Sequence, residues 1–300
     1  MRASTKKKAA DAVLEHKLPE SFLRDAELYL LPLAAQLNEK RKKGSSLLIG
    51  IQGTQGSGKS TSATFLKLIL ESEFDLRVEI CSIDDFYLSQ IERQELAEKV
   101  HPLLQTRGVP GTHHVESIQQ QFNEFRNGQP LTIPQFNKAQ DNPKPASESL
   151  FIKDKLDVLI FEGWCVGIPP QLDQQLEVTV NSLEREEDSN GTWRQFVNQQ
   201  LKNDYADIFA QLDLLVVLQA PSFESVYQWR QLQEQKLIDR LTEEGKSTEL
   251  TLGADQLKRF IQHYQRLSEH GLEVLAKKAD FVLSLDNDHR FTEMLRLKVE

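Results

Sequence analysis

Gly53-Thr54-Gln55-Gly56-Ser57-Gly58-Lys59-Ser60 fits the pattern G-x-x-x-x-G-K-[ST] at every fixed position. A short apolar run, Leu47-Leu48-Ile49-Gly50-Ile51, precedes it, and an amphipathic stretch from Ser60 to Leu70 follows. That strand–loop–helix context is the one a phosphate-binding loop (P-loop) requires. Glycines let the backbone bend until successive N–H groups face an anion, and the helix N-terminus adds its partial positive charge. The stretch predicts that Gly53, Thr54, Gln55, Gly56, Ser57, Gly58, Lys59, Ser60 and Thr61 cradle the phosphates of a nucleotide such as ATP. Lys59 is expected to reach the β- and γ-phosphates, and the Ser60 hydroxyl to serve as a ligand to Mg²⁺. The competing reading is a glycine-rich turn carrying a stray lysine.

Working outward, four more apolar runs read as strands: Arg77–Cys81, Leu156–Phe161, Leu212–Leu218 and Ala279–Leu283. Most are apolar nearly throughout rather than alternating, as strands are when helices cover both sheet faces. The spacings leave room for crossover helices, so the expected fold is α/β: a P-loop NTPase-type, five-stranded parallel sheet between helices. Two long polar regions do not fit simple crossovers. These regions, 85–150 and 230–255, are expected to close over a site. Residues 1–44 read as an N-terminal helical extension packing on a P-loop domain of 45–300. Within it, Pro19 opens one helix and Pro32 interrupts the pattern, which predicts two short helices.

The 300 residues are 39% hydrophobic and 27% charged, enough apolar content for a sizeable core and too much for a disordered chain. The formal charge of −9 excludes a general basic coat for nucleic acid. Two cysteines cannot make a disulfide framework and suit a reducing compartment. No apolar run approaches a bilayer's thickness, and no signal-type segment follows Met1. A cytoplasmic protein with no nucleic-acid or membrane partner, a monomer or weak dimer, is expected. Residues 1–43 are the exception in charge, with ten basic and six acidic side chains. Lys6–Lys8 and Arg41-Lys42-Lys43 could touch a polyanion, or be solvated terminus and linker charges.

Chemistry at a γ-phosphate needs groups at the carboxyl ends of neighbouring strands. Two such ends read Ser82-Ile83-Asp84-Asp85-Phe86-Tyr87 and Phe161-Glu162-Gly163-Trp164. Asp84 is the candidate to accept a proton from an attacking hydroxyl or to orient it, and is also a candidate metal ligand. Glu162 is placed to hold Mg²⁺ through water. An N-cap or turn role is the alternative for each, and for Asp85 it weighs as much as a substrate contact.

These residues together resemble the P-loop kinases of the phosphoribulokinase and uridine kinase superfamily, most of all the D-glycerate 3-kinase group and its bacterial homologues. The resemblance rests on the P-loop, Ile83–Tyr87, Arg107-Gly108-Val109-Pro110-Gly111-Thr112-His113, Ile133-Pro134-Gln135-Phe136-Asn137-Lys138 and Phe161–Trp164. Leu183–Asp188, Trp229-Arg230 and Phe260–Tyr264 add to it. It implies transfer of the γ-phosphoryl of Mg·ATP to a small hydroxyl-bearing acceptor, with Asp84 matching the usual catalytic aspartate. It also implies an acceptor-side helical insertion at 85–150 and a lid at 230–255, and Arg107, Thr112 and His113 fall where such kinases bind the acceptor. Asp85, Tyr87 and Lys138 are further acceptor-side candidates, a solvated lysine being the other reading of Lys138. Chemically, Arg107 offers a bidentate fork for a carboxylate or phosphate, and His113 can donate to either. A Gly-Pro turn with solvated Arg and His is the alternative. Trp229-Arg230 resembles the lid, where Arg230, or failing it Arg240, stabilises the transferring phosphoryl group; a surface ion pair is the other reading.

Three departures from the family pattern stand out. The turn usually reads G-T-H-D, and His114 takes the acid's place. The later motif usually reads P-R-F-D-K, and Gln135 and Asn137 replace the arginine and aspartate. The last two are either the two halves of a swapped ion pair or a reshaped acceptor pocket. Leu183–Asp188 reads as a solvated acidic helix face, Gly245–Thr248 as a flexible turn, and Asp286–Arg290 as either an adenine neighbour or a plain strand-end turn. Trp164, Trp193 and Trp229 are expected to pack rather than stack on bases. The expected function is an ATP-dependent kinase of a small molecule, D-glycerate being one candidate. A slow regulatory ATPase or a nucleoside kinase stays open.

Overall fold

The computed structural model describes residues 1–41, 45–243, 245 and 251–297, with the Arg240 side chain outside that set. All five expected strands are present, each within about two residues of its expected place. They are β1 (Leu47–Gly53), β2 (Val78–Ser82), β3 (Val158–Gly163), β4 (Leu214–Gln219) and β5 (Phe281–Leu285). A sixth strand, β6 (Phe291–Arg296), was not expected; it pairs antiparallel with β5 at the edge. The sheet order is β6-β5-β4-β1-β3-β2, with β1 to β5 parallel. The fold is thus a mixed α/β layer structure around a mostly parallel sheet. No helix of the described residues is long and apolar enough to cross a membrane.

Every residue of β1 and β3 is buried. Their alternate side chains feed opposite cores, as a period of two requires. Leu48, Leu159 and Phe161 join one apolar cluster with Phe122, Trp164 and Leu267. Leu47, Ile49, Ile51, Val158 and Ile160 join the other, with Phe65, Leu66 and the N-terminal Leu30, Leu33 and Leu37. These last three leucines are essentially unexposed, and burying each contributes about 1.5–3 kcal/mol.

The N-terminal segment forms a helix, Ala3–Glu15, and then continuous helical turns from Ser21 to Lys40. Pro32 does not separate two helices. The turn before it, Ala26–Leu30, widens to π spacing, and Pro32 enters the first turn of Leu31–Lys40. A wider turn relieves the clash between a proline ring and the carbonyl four residues back. Lys6 pairs with Glu27 at 3.2 Å and Lys8 donates to the Ser72 hydroxyl at 3.3 Å, so both are engaged on the protein surface. Lys42 and Lys43 lie outside the described residues.

The acidic stretch Leu183–Asp188 is a solvated face only in part: Arg185, Glu186 and Glu187 are exposed, but its other two acids are not. Glu184 and Asp188 are fully buried. Arg266 clasps Glu184 at 2.7 and 2.6 Å, and Asp188 takes the Trp193 N–H at 2.8 Å and the Arg194 guanidinium at 2.9 Å. Two buried guanidiniums neutralise what the sequence presents as surplus negative charge. The 85–150 region holds two helices, Gln90–Lys99 and Val115–Arg126, joined by tight turns and short two-stranded ladders. Residues 230–255 begin inside the long helix Phe223–Glu243 and end in Ala254–Val274. Residues 246–248 of the expected flexible turn lie outside the described set.

Candidate functional site

The carboxyl ends of β1, β3 and β2 lie side by side, and each delivers one part of the site. From β1, the P-loop turns with Gly56 and Gly58 at φ 79° and 81°, a left-handed conformation that favours glycine, and Lys59 opens the helix Lys59–Phe74. Inside the loop the Thr54 and Ser57 hydroxyls and both polar atoms of the Gln55 amide are buried without a protein partner. Unpaired buried polar groups are costly, and an anion held in the loop would accept from the two hydroxyls and from the Gln55 amide nitrogen, though not satisfy its oxygen.

From β3, Glu162 accepts a hydrogen bond from the Ser60 hydroxyl at 2.8 Å, while its second oxygen is buried and unpartnered. Mg²⁺ keeps several waters and takes few protein ligands besides nucleotide phosphates. A hydroxyl beside a carboxylate with a spare oxygen fits that donor set. Among the described residues no three His, Cys, Asp or Glu gather into an all-protein metal cage.

From β2, Asp84 accepts from the Tyr87 hydroxyl at 2.7 Å and from the Lys138 ammonium at 2.6 Å. Burial alone would raise its pKa. The Lys138 and Lys59 charges and the two hydrogen bonds outweigh it, and hold the carboxyl well below the usual range. Its neighbour Asp85 behaves in the opposite way. Burial and the nearby Asp84 charge push it up to about 6, against one hydrogen bond from the Phe136 N–H at 3.3 Å.

The insertion brings the remaining candidates to this edge. Tyr87 stacks on His113 at 4.6 Å and meets Phe136 edge-on at 5.2 Å. His113 Nδ1 lies 2.6 Å from the Tyr205 hydroxyl, whose oxygen accepts from the Gly111 N–H. If the phenol O–H donates to Nδ1, the imidazole proton sits on the buried Nε2, a donor with no protein partner. Burial holds the His113 pKa down to about 3, so the ring is neutral. Arg107 lies 5.5 Å from the Phe136 ring centroid and pairs with Asp141. The Thr112 hydroxyl donates to Val109 O at 2.7 Å and accepts from the Gly108 N–H, so it is spent within its own turn.

Gln135 and Asn137 do not pair with each other. The Gln135 amide donates to Pro134 O, and the Asn137 side chain accepts from the N–H groups of Ala139 and Gln140, closing the turn that presents Lys138. His114 opens the helix Val115–Arg126 without a capping hydrogen bond and lies 3.5 Å from Glu92.

Arg230 pairs with Glu234 one turn along its helix at 2.8 Å and lies 5.7 Å from the Phe260 ring centroid. Its neighbour Trp229 rests on the P-loop so closely that a Cβ at Gly56 would sit 2.7 Å from the Trp229 Cβ. The Trp229 indole donates to Asn287 O at 2.7 Å and stacks on His289 at 4.4 Å. Residues 286–290 thus brace the P-loop from behind. Trp164 and Trp193 are buried packing residues, as expected.

Sequence reasoning missed Tyr205, Asp141 and Arg93. Tyr205 is 92 positions from His113 and Asp141 is 34 from Arg107. No local spacing marks such a pair before the chain is folded.

No known family model matches the chain. It is 34% identical over 235 residues to the uncharacterized kinase mug58 of Schizosaccharomyces pombe, covering 75% of this chain and 81% of that one. It is 30% identical over 213 residues to the chloroplastic D-glycerate 3-kinase of Arabidopsis thaliana, covering 64% of this chain and 42% of the relative. Among solved structures, D-glycerate 3-kinase from Cryptococcus neoformans superposes with a TM-score of 0.71 at 23% identity. That match spans 93% of this chain and all of the other, and shows a shared fold. The chain belongs to the same family of P-loop kinases as mug58 and is an ATP-dependent kinase.

Proposed function

We propose that this kinase transfers the γ-phosphoryl of Mg·ATP to a hydroxyl of a small acid, with D-glycerate the first acceptor to test. The observation that carries the reading is Asp84, an ionised carboxylate at the end of β2 and close enough to Lys59 to feel its charge. The P-loop amides and Lys59 hold the β- and γ-phosphates, and Ser60 with Glu162 would hold Mg²⁺, which supplies charge neutralisation when bound. Asp84 orients the acceptor hydroxyl in line with the γ-phosphorus. A carboxylate this acidic is a weak base, which suits a loose phosphoryl-transfer transition state in which the nucleophile keeps its proton until late. Lys138 and Tyr87 fix its two oxygens. Arg107 takes the acceptor's anionic end, and neutral His113 donates from Nε2. Arg230 is the lid cation for the transferring group.

The test is ADP release in the presence of Mg·ATP and, in turn, D-glycerate, glycerol, L-lactate and uridine, with Lys59→Ala as the blank. Acceptor-dependent release with a hydroxy acid supports the reading. Release with uridine alone favours a nucleoside kinase, and none above background favours a slow ATPase.

A further inference from the structure

Asp141 stands between two guanidiniums of very different accessibility. Arg93 is almost wholly buried, with a side chain 2% exposed. It donates to Leu88 O at 3.1 Å, Gln105 O at 2.9 Å, Asp141 O at 3.0 Å and Asp141 Oδ2 at 2.7 Å. Arg107 binds the other carboxylate oxygen, and a quarter of its side chain is open to solvent. Its guanidinium lies by the ring of Phe136, the residue whose N–H bonds Asp85 and whose ring abuts Tyr87. The acceptor-side cation is therefore covered by a carboxylate of the chain itself.

We propose that Asp141 is a specificity-determining residue: its carboxylate occupies Arg107 until an acceptor's own carboxylate replaces it. This rests on the reading of Arg107 as the anion-binding group of the acceptor site. The exchange leaves no buried charge unpaired, which is the condition for it to be cheap. Asp141 keeps Arg93, Arg93 keeps its three carbonyls, and Arg107 trades one carboxylate for another. An uncharged hydroxyl compound offers no replacement, so displacing Asp141 for it would strand a guanidinium. The internal carboxylate thus discriminates against neutral polyols and lowers affinity for every acid in proportion. Five residues, 137–141, carry both this anion and the Lys138 cation that covers Asp84, so the same loop meets both ends of the site.

Asp141 lies at φ 53°, a left-handed conformation that Asn also tolerates, which makes Asp141→Asn the appropriate substitution. The experiment is calorimetric titration of D-glycerate and of glycerol into the full chain with Mg·ADP present, a measurement independent of turnover. Asp141→Asn is expected to bind D-glycerate about tenfold more tightly than the native chain. Glycerol binding is expected to stay weak, and adding Arg107→Gln to remove the gain. D-Glycerate affinity that is unchanged or weaker in Asp141→Asn overturns the proposal, as does no carboxylate binding to any variant. Should Asp141→Asn melt early because buried Arg93 loses its countercharge, the double variant Arg93→Met/Asp141→Asn, which removes both members of that buried pair, carries the same expectations. Tight binding without phosphoryl transfer would sink the kinase acceptor assignment and leave this inference standing.

Discussion

Lys138 and Asp84, 54 residues apart in the chain, meet at 2.6 Å, and that pair helps hold the Asp84 carboxyl ionised. Without the ammonium, only the Lys59 charge and the Tyr87 hydrogen bond would oppose burial, and the Asp84 pKa would rise. Activity that needs ionised Asp84 would then fail at a higher pH. Lys138→Met is expected to move the acid limb of kcat/KM upward, read as a pH profile from about 4.5 to 8. An unmoved limb would show that Lys138 does not tune Asp84.

Asp85 titrates in the opposite sense. Its folded pKa of about 6 lies above the unfolded value, so its neutral form favours folding at low pH. That contribution is lost as pH rises through 6, where the folded state must hold a buried charge. Asp85→Asn keeps an acceptor for the Phe136 N–H and removes the charge. It is expected to stabilise the protein by about 1–3 kcal/mol at pH 8, with the gain shrinking to nothing near pH 4. Thermal melts of both proteins across that range decide the matter; equal melting temperatures at pH 8 would contradict it.

Gly56 and Gly58 share a left-handed backbone and differ in surroundings. A methyl group at Gly56 would collide with Trp229, whereas nothing lies within 4 Å of one at Gly58. Gly56→Ala is expected to weaken ATP binding the more of the two, by about tenfold or greater, because the helix Phe223–Glu243 must also shift. Equilibrium dialysis with ATP and each variant makes the comparison. Equal losses would mean that Trp229 does not brace the loop.

The Glu184–Arg266 pair is structural. Arg266→Met leaves a carboxylate buried beside the Val180 N–H with no countercharge. Urea unfolding is expected to show a loss of about 3–5 kcal/mol. A loss below about 1 kcal/mol would return this acidic stretch to the solvated role its sequence suggests.

The P-loop and its flanking strands were legible because their chemistry is local: eight contiguous residues specify both the turn and its ligand class. The five parallel strands were legible because burial on both faces leaves an apolar run in the sequence. The β6 strand was not, since only Phe291 of its six residues is buried and the rest read as loop. The buried acids Glu184 and Asp188 were misread for a related reason. Their partner arginines, 266 and 194, lie on other helices, and composition cannot distinguish a paired carboxylate from a solvated one. The candidate residues carried by single motifs were legible as candidates, whereas the residues they meet across the fold, Tyr205 and Asp141, were not.

The most direct measurement of the central claim is acceptor-dependent ADP release by the native chain and by Asp84→Asn, with ATP affinity measured on the same samples. The account predicts that Asp84→Asn binds ATP as the native chain does, while release stimulated by the hydroxy acid falls about 10²–10⁴-fold. Equal stimulated release from the two proteins would contradict it.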